Sequence, residues 1–190
     1  HEKYHAVSEF NVITGDSVKS TSNVPTYTNV FAETLCKIAE KDKKVLAITA
    51  AMPSGTGLNK FAEKFEDRFY DVGIAEQHAV TFAAGMALEG LKPWVYTITP
   101  FLIERPFEQI KLDINQQKAN VKLVGFADYP TLGPTHSEIN AKKSMKLFEN
   151  IRSFYPKDSM DTEKIVKKCN TIKGPTFISL KTDKFLNKKW

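Results

Sequence analysis

Cysteine is scarce: Cys36 and Cys169 are the only two in 190 residues. They stand far apart in stretches of helical pattern, with no CxxC spacing and no neighbouring histidine. That excludes a disulfide scaffold and a cysteine-based zinc site, and two buried thiols of a reducing compartment are expected instead. No apolar run approaches the roughly 20 residues that span a bilayer, so no membrane segment is expected. Internal repeats and low-complexity segments are also missing. The net charge is +5, yet the lysines (Lys41, Lys43 and Lys44; Lys142, Lys143 and Lys146; Lys164, Lys167 and Lys168; Lys181, Lys184, Lys188 and Lys189) are spread along the chain as solvated helix faces. A nucleic-acid surface would concentrate them in a stripe interleaved with exposed aromatics, so no nucleic-acid partner is expected. A modest positive field suits phosphorylated small molecules. The loop Ser54-Gly55-Thr56-Gly57 matches neither a P-loop nor a dinucleotide fingerprint, and it reads as a plain strand-to-helix connection. The first residues do not form a signal peptide, and the chain opens on His1 rather than Met, so a fragment or a processed piece is expected.

What is present is a regular alternation of short apolar runs and amphipathic stretches, with hydrophobic residues making up 42% of the chain. Residues 1–24 carry Asn11, Gly15, Asp16, Ser17, Ser20 and Ser22 without periodicity and read as a linker or arm. From Pro25, the spacing of Tyr27, Phe31, Leu35 and Ile38 predicts a helix through residue 40. Strands are expected over 45–49, 69–72, 94–98, 121–127, 151–155 and 175–180. Helices are expected over 58–66, 75–89, 104–118, 137–150 and 161–169. Thr99-Pro100-Phe101 is read as the end of a strand, and residues 182–190 as a connector. Strands of this length alternating with helices predict an α/β domain over 25–181, a three-layer, doubly wound, mainly parallel sheet covered on both faces. The small residues Ala83, Ala84, Gly85 and Ala87 allow the helix over 75–89 to approach another backbone closely, either the sheet or a second subunit.

The stretch Asp71-Val-Gly-Ile-Ala-Glu-Gln-His-Ala-Val-Thr-Phe-Ala-Ala-Gly-Met-Ala87 is the focus. Glu76 sits where strand gives way to helix. By itself it reads as a favourable charge at a helix start. His136, by itself, reads as an exposed loop histidine. Glu76, Phe101 and His136 nevertheless all fall at or just after a strand's carboxyl end, and in an open α/β sheet those ends share the edge where ligands bind.

These residues resemble the central, pyrimidine-binding domain of the 1-deoxy-D-xylulose-5-phosphate synthase family, within the thiamine-diphosphate transketolase superfamily. The resemblance extends to Tyr4-His5-Ala6-Val7, Pro25-Thr26-Tyr27-Thr28, Ile48-Thr49-Ala50-Ala51-Met52, Gly90-Leu91-Lys92-Pro93, Phe101-Leu102 with Arg105, and Gly133-Pro134-Thr135-His136. It implies the thiamine-diphosphate-binding fold and a transferase of isoprenoid biosynthesis, condensing pyruvate with glyceraldehyde 3-phosphate. Glu76 matches the glutamate that hydrogen-bonds the cofactor's pyrimidine nitrogen. A proton shared there favours the imino form of the exocyclic nitrogen, which then deprotonates the thiazolium ring. Phe101 matches the aromatic that stacks on the pyrimidine, while Ile74 and Met52 match the apolar lining of the pocket. His136 matches a catalytic imidazole facing the substrate, and Arg105 an arginine facing the sugar phosphate.

The resemblance implies no metal ligand in this chain. The superfamily holds Mg²⁺ and the cofactor's diphosphate through a Gly-Asp-Gly…Asn motif in another domain or subunit, a motif absent from this sequence. The chain alone is therefore expected to be inactive, and to work with that partner in a homodimer of the cytoplasm or a plastid-like organelle. Gly125, Leu132 and Ile98 stand where the synthases carry an arginine, an acidic residue and a tyrosine. These departures keep two alternatives open: half of a transketolase-like ketol-transferase with another acceptor, or a non-catalytic interaction module of the same fold.

Overall fold

The computed structural model describes residues 10–16, 26–126, 136 and 140–181. Readings placed on the rest — most of the arm, Pro25, the Gly133-Pro134-Thr135 turn and the C-terminal connector — lie outside the described residues. Six strands form one sheet: β1 (Val45–Thr49), β2 (Phe69–Asp71), β3 (Lys92–Ile98), β4 (Lys122–Phe126), β5 (Arg152–Phe154) and β6 (Thr176–Leu180). They run in the order β2-β1-β3-β4-β6-β5, and every pairing is parallel. The helices are α1 (Tyr27–Lys41), α2 (Asn59–Lys64), α3 (Glu76–Leu88), α4 (Thr99–Ile103), α5 (Phe107–Gln109), α6 (Ala141–Ser144) and α7 (Ser159–Thr171).

Alternation along the strands builds a separate core on each face. Val45, Ala47, Trp94, Tyr96, Val124, Ile178 and Leu180 point to the side covered by α1, α2 and α7. There the Phe31 ring of α1 lies 5.8 Å from Trp94 and 4.7 Å from Tyr96, aromatic pairs worth about 0.5–1.5 kcal/mol each beyond their buried area. Leu46, Ile48, Val95, Leu123 and Phe177 point the other way, onto Ala79, Val80, Ala83, Ala84, Ile110 and Ile114. Helix α1 begins with a side-chain cap, Thr26 Oγ1 accepting from the Asn29 amide at 3.0 Å. Cys36 and Cys169 are free and buried. No helix among the described residues is long and apolar enough to cross a membrane.

The structure departs from the expected elements in four places. Thr99-Pro100-Phe101 does not end a strand. It opens α4, with Pro100 in the first turn, where its missing N–H costs nothing. The helix expected over 104–118 is interrupted at Pro106 and consists of α5 continued by a π-helix over Ile110–Gln116. Of the helix expected over 137–150, the described part is α6 plus a 3₁₀ turn over Met145–Leu147. Finally, α2 is shorter than its apolar pattern, and a 3₁₀ turn over Glu66–Arg68 leads into β2. Among the described residues, a Cβ at Gly85 would have no neighbour within 4 Å beyond its own helix turn. The close packing of α3 onto the sheet falls to Ala79, Ala83 and Ala84 instead.

Candidate active site

The topology fixes where a ligand can enter. The connection after β1 leads to α2 on one face, and the connection after the adjacent β3 leads through α4 to α5 on the other. Loops that part in this way open a crevice at the carboxyl edge, between β1 and β3. The β1 loop carries Met52, and the turn after β3 carries Phe101. On the outer side of β1, β2 ends at Asp71 and the chain turns through Gly73 (φ +70°), a left-handed conformation that suits glycine. It then starts α3 at Glu76.

Asp71 organises this edge. One carboxylate oxygen accepts from the amide of Ala51 at 2.8 Å and from that of Gly73 at 3.0 Å. It thereby ties the β1 loop to the β2 turn, and it holds the first loop beside Ala51, a non-glycine residue at φ +56°. Sequence reasoning passed over Asp71. Its signal was local: an Asp two residues before Gly at a strand's end favours an Asx turn.

Glu76 is only 3% exposed, an unusual burial for a charge whose role would be to favour a helix start. Its Oε1 accepts a hydrogen bond from Arg105 Nη1 at 2.6 Å. The Arg105 guanidinium carbon also lies 3.8 Å from the centre of the Phe101 ring, over its face. The Phe101 ring centre in turn lies 5.1 Å from that of His136, with the planes tilted by 58°. Glu76, Phe101, Arg105 and His136, spread over sixty residues of sequence, therefore form one connected cluster at the carboxyl edge. Arg105 is about one-third exposed while Glu76 is enclosed, so the pair opens to solvent on the cation's side. A buried carboxylate stripped of such a partner costs about 1–3 kcal/mol or more.

Of the other expected pocket residues, Ile74 lies in the turn before α3 and is 80% exposed. Met52 folds back on its own loop, its terminal methyl reaching over Gly55. Arg105, expected to face a substrate, donates to Glu76. Gly125 is not a position open to the crevice. It lies within β4, and a Cβ built on it would fall 2.3 Å from Thr99 Oγ1 at the start of α4.

Chemically, the arrangement offers a buried carboxylate, an aromatic face beside it, an imidazole across that ring, and a partly exposed cation. A planar, nitrogen-rich ring could stack on Phe101 and donate to Glu76 at once.

Known proteins of the same kind agree with this architecture. The family profile described as "Transketolase, pyrimidine binding domain" matches residues 23–185. Over 176 residues, the chain is 44% identical to the 1-deoxy-D-xylulose-5-phosphate synthase of Desulfitobacterium hafniense strain Y51, covering 90% of this chain and 27% of that protein. Its counterpart from strain DSM 10664 / DCB-2 is 43% identical over the same shares. The chain thus spans about a quarter of the length of these relatives. Among solved structures, an inactive β4 tetramer of a split-gene transketolase superposes with a TM-score of 0.77 at 30% identity, over 85% of this chain and 53% of that one. The transketolase of Campylobacter jejuni superposes with a TM-score of 0.74 at 18% identity, over 84% and 26%, a likeness of fold. Taken with the all-parallel sheet and the strand-end cluster, these matches make the chain a member of the transketolase pyrimidine-binding domain family.

Proposed function

We propose that this chain is the pyrimidine-binding half of a thiamine-diphosphate-dependent transferase that condenses pyruvate with glyceraldehyde 3-phosphate, releasing CO₂, to give 1-deoxy-D-xylulose 5-phosphate for isoprenoid biosynthesis. One observation carries the reading: the Glu76 carboxylate and the Phe101 ring converge on one group, the planar, nitrogen-rich guanidinium of Arg105. The residues therefore fit an aminopyrimidine. The 44% identity to a synthase supports the choice of reaction.

In this reading, Glu76 holds the pyrimidine ring nitrogen and keeps a proton at that atom, and Phe101 orients the ring by stacking. Met52 and Ile74 close the apolar side and exclude water. His136 faces the substrate, and Arg105 supplies positive charge for its phosphate. When bound, thiamine diphosphate supplies the carbon nucleophile and the electron sink. A diphosphate-binding domain or subunit holds the Mg²⁺ and the diphosphate, and the working unit is a homodimer in the cytoplasm or a plastid-like organelle. The chain by itself is inactive, with the domain proper over 25–181.

Product analysis tests the reaction. The chain assembled with its diphosphate-binding partner should convert pyruvate and glyceraldehyde 3-phosphate to deoxyxylulose phosphate and CO₂. Turnover with ketose donors, and none with pyruvate, would favour a second reading. In it the chain is half of a ketol-transferase, as the likeness to a split-gene transketolase suggests.

A further inference from the structure

We infer that Arg105 is a built-in stand-in for the cofactor's pyrimidine: its guanidinium occupies the Glu76–Phe101 slot in the cofactor-free chain and must swing out when the cofactor enters. The inference rests on the reading of that slot as the pyrimidine pocket.

Two contacts define such a pocket, a stack on Phe101 and a hydrogen bond to Glu76. The guanidinium makes both at once, 3.8 Å over the ring and 2.6 Å from Oε1. A group making both contacts takes up the Phe101 face and the Glu76 oxygen that such a ring would need, so the two compete. The chemical likeness is close as well. A guanidinium and an aminopyrimidine both present a flat N–C–N edge, with donors in the plane and a π-face above it.

The rest of Arg105 suits a swing. The side chain is 38% exposed while that of Glu76 is 4% exposed, so the cation can leave towards solvent but the carboxylate cannot follow it. Its backbone sits in the turn between α4 (Thr99–Ile103) and α5 (Phe107–Gln109), just before Pro106. It is therefore outside any rigid helical run.

Two consequences follow. Without cofactor, the guanidinium satisfies a buried carboxylate that would otherwise stand uncompensated. With cofactor, the same side chain is released next to the pocket and becomes available to an anionic substrate, so cofactor binding and presentation of the cation are coupled. The stand-in also competes with the cofactor. The apparent affinity is reduced by the fraction of molecules in which the slot is self-occupied.

The test is calorimetric titration of thiamine diphosphate, with Mg²⁺, into the assembled enzyme carrying wild-type Arg105, Arg105→Ala or Arg105→Lys, with Glu76→Ala as a control. Arg105→Lys keeps the charge but loses the plane, so it guards against a folding defect in the alanine variant. Both Arg105 variants should bind cofactor about 3- to 30-fold more tightly than wild type. Glu76→Ala should bind more weakly. In the wild-type enzyme, the Arg105 side-chain Nε–H resonance, assigned by its loss in Arg105→Lys, should be shifted upfield by the Phe101 ring and should move downfield as cofactor is added. Unchanged or weaker binding by both Arg105 variants, with Glu76→Ala still impaired, would overturn the stand-in while leaving the pyrimidine pocket intact. So would an Arg105 resonance that ignores saturating cofactor. Absence of binding by wild type and variants alike would overturn the pocket reading and this inference with it.

Discussion

Lys122 shows how much one side chain can hold at the opposite end of the sheet from the active edge. It is fully buried at the start of β4, and its ammonium donates to Asn120 Oδ1 at 2.8 Å, the Ile172 carbonyl at 2.9 Å and the Gly174 carbonyl at 2.7 Å. Three donors meet three acceptors, so the α7–β6 turn is tied to β4. Lys122→Met should orphan those acceptors and lower stability by about 2–4 kcal/mol, read by urea unfolding. Burial also pushes the Lys122 ammonium down to about 8. The unfolded chain, in which lysine titrates near about 10.4, therefore binds the extra proton between those values. Stability contributed at Lys122 rises with pH across that window. The Cys169 thiol nearby, raised to about 11 by burial, works in the opposite sense above its ordinary range. The stability gap between wild type and Lys122→Met should widen from pH 8 to 10, and a gap that narrows would contradict the assignment. At this scale the sequence was uneven as a guide. That Glu76, Phe101 and His136 lie at one edge was legible because strands can be read from apolar runs, but the roles expected of them came only from the family resemblance. The pairing of Glu76 with Arg105 was not legible, because a contact between residues 29 apart leaves no local mark. Nothing local marked Lys122, since two of its three acceptors come from a turn fifty residues away.

Among the elements, strands were the most legible. The continuous apolar runs over 45–49 and 176–180 are the marks of strands buried on both faces, and both lie within a residue of where they were expected. The α4 turn was hidden because Thr-Pro-Phe-Leu-Ile is as apolar as the strand it follows. The π-helix was hidden because Ile110 and Ile114 point inward in an α- or a π-turn alike. α4 is also where packing controls the site. Gly125 leaves room for Thr99, whose hydroxyl donates to the Phe126 carbonyl at 3.3 Å. Gly125→Ala should push Thr99 outward and carry Phe101 with it, lowering stability by about 1–3 kcal/mol and weakening cofactor binding. Adding Thr99→Ala should recover part of both losses, a coupling that a double-mutant cycle of unfolding and titration measures. Independent, additive effects would show that α4 does not seat against Gly125.

At the scale of the whole molecule, one edge of the sheet carries the candidate site. The molecule's two cores hold a parallel sheet whose carboxyl edge gathers Glu76, Phe101, Arg105 and His136, and Arg105 leaves that cluster partly open to solvent. The doubly wound architecture was readable from the alternation of strand and helix. The strand order was not, because sequence periodicity carries no information about which strands pair. The central claim is that Glu76 acts on the cofactor's pyrimidine. Its most direct test is the exchange of the thiazolium C2 proton of bound thiamine diphosphate for deuterium, in the assembled enzyme at saturating cofactor. With Glu76→Ala, exchange should slow by about 10²-fold or more relative to wild type. Exchange at the wild-type rate in that variant would contradict the account.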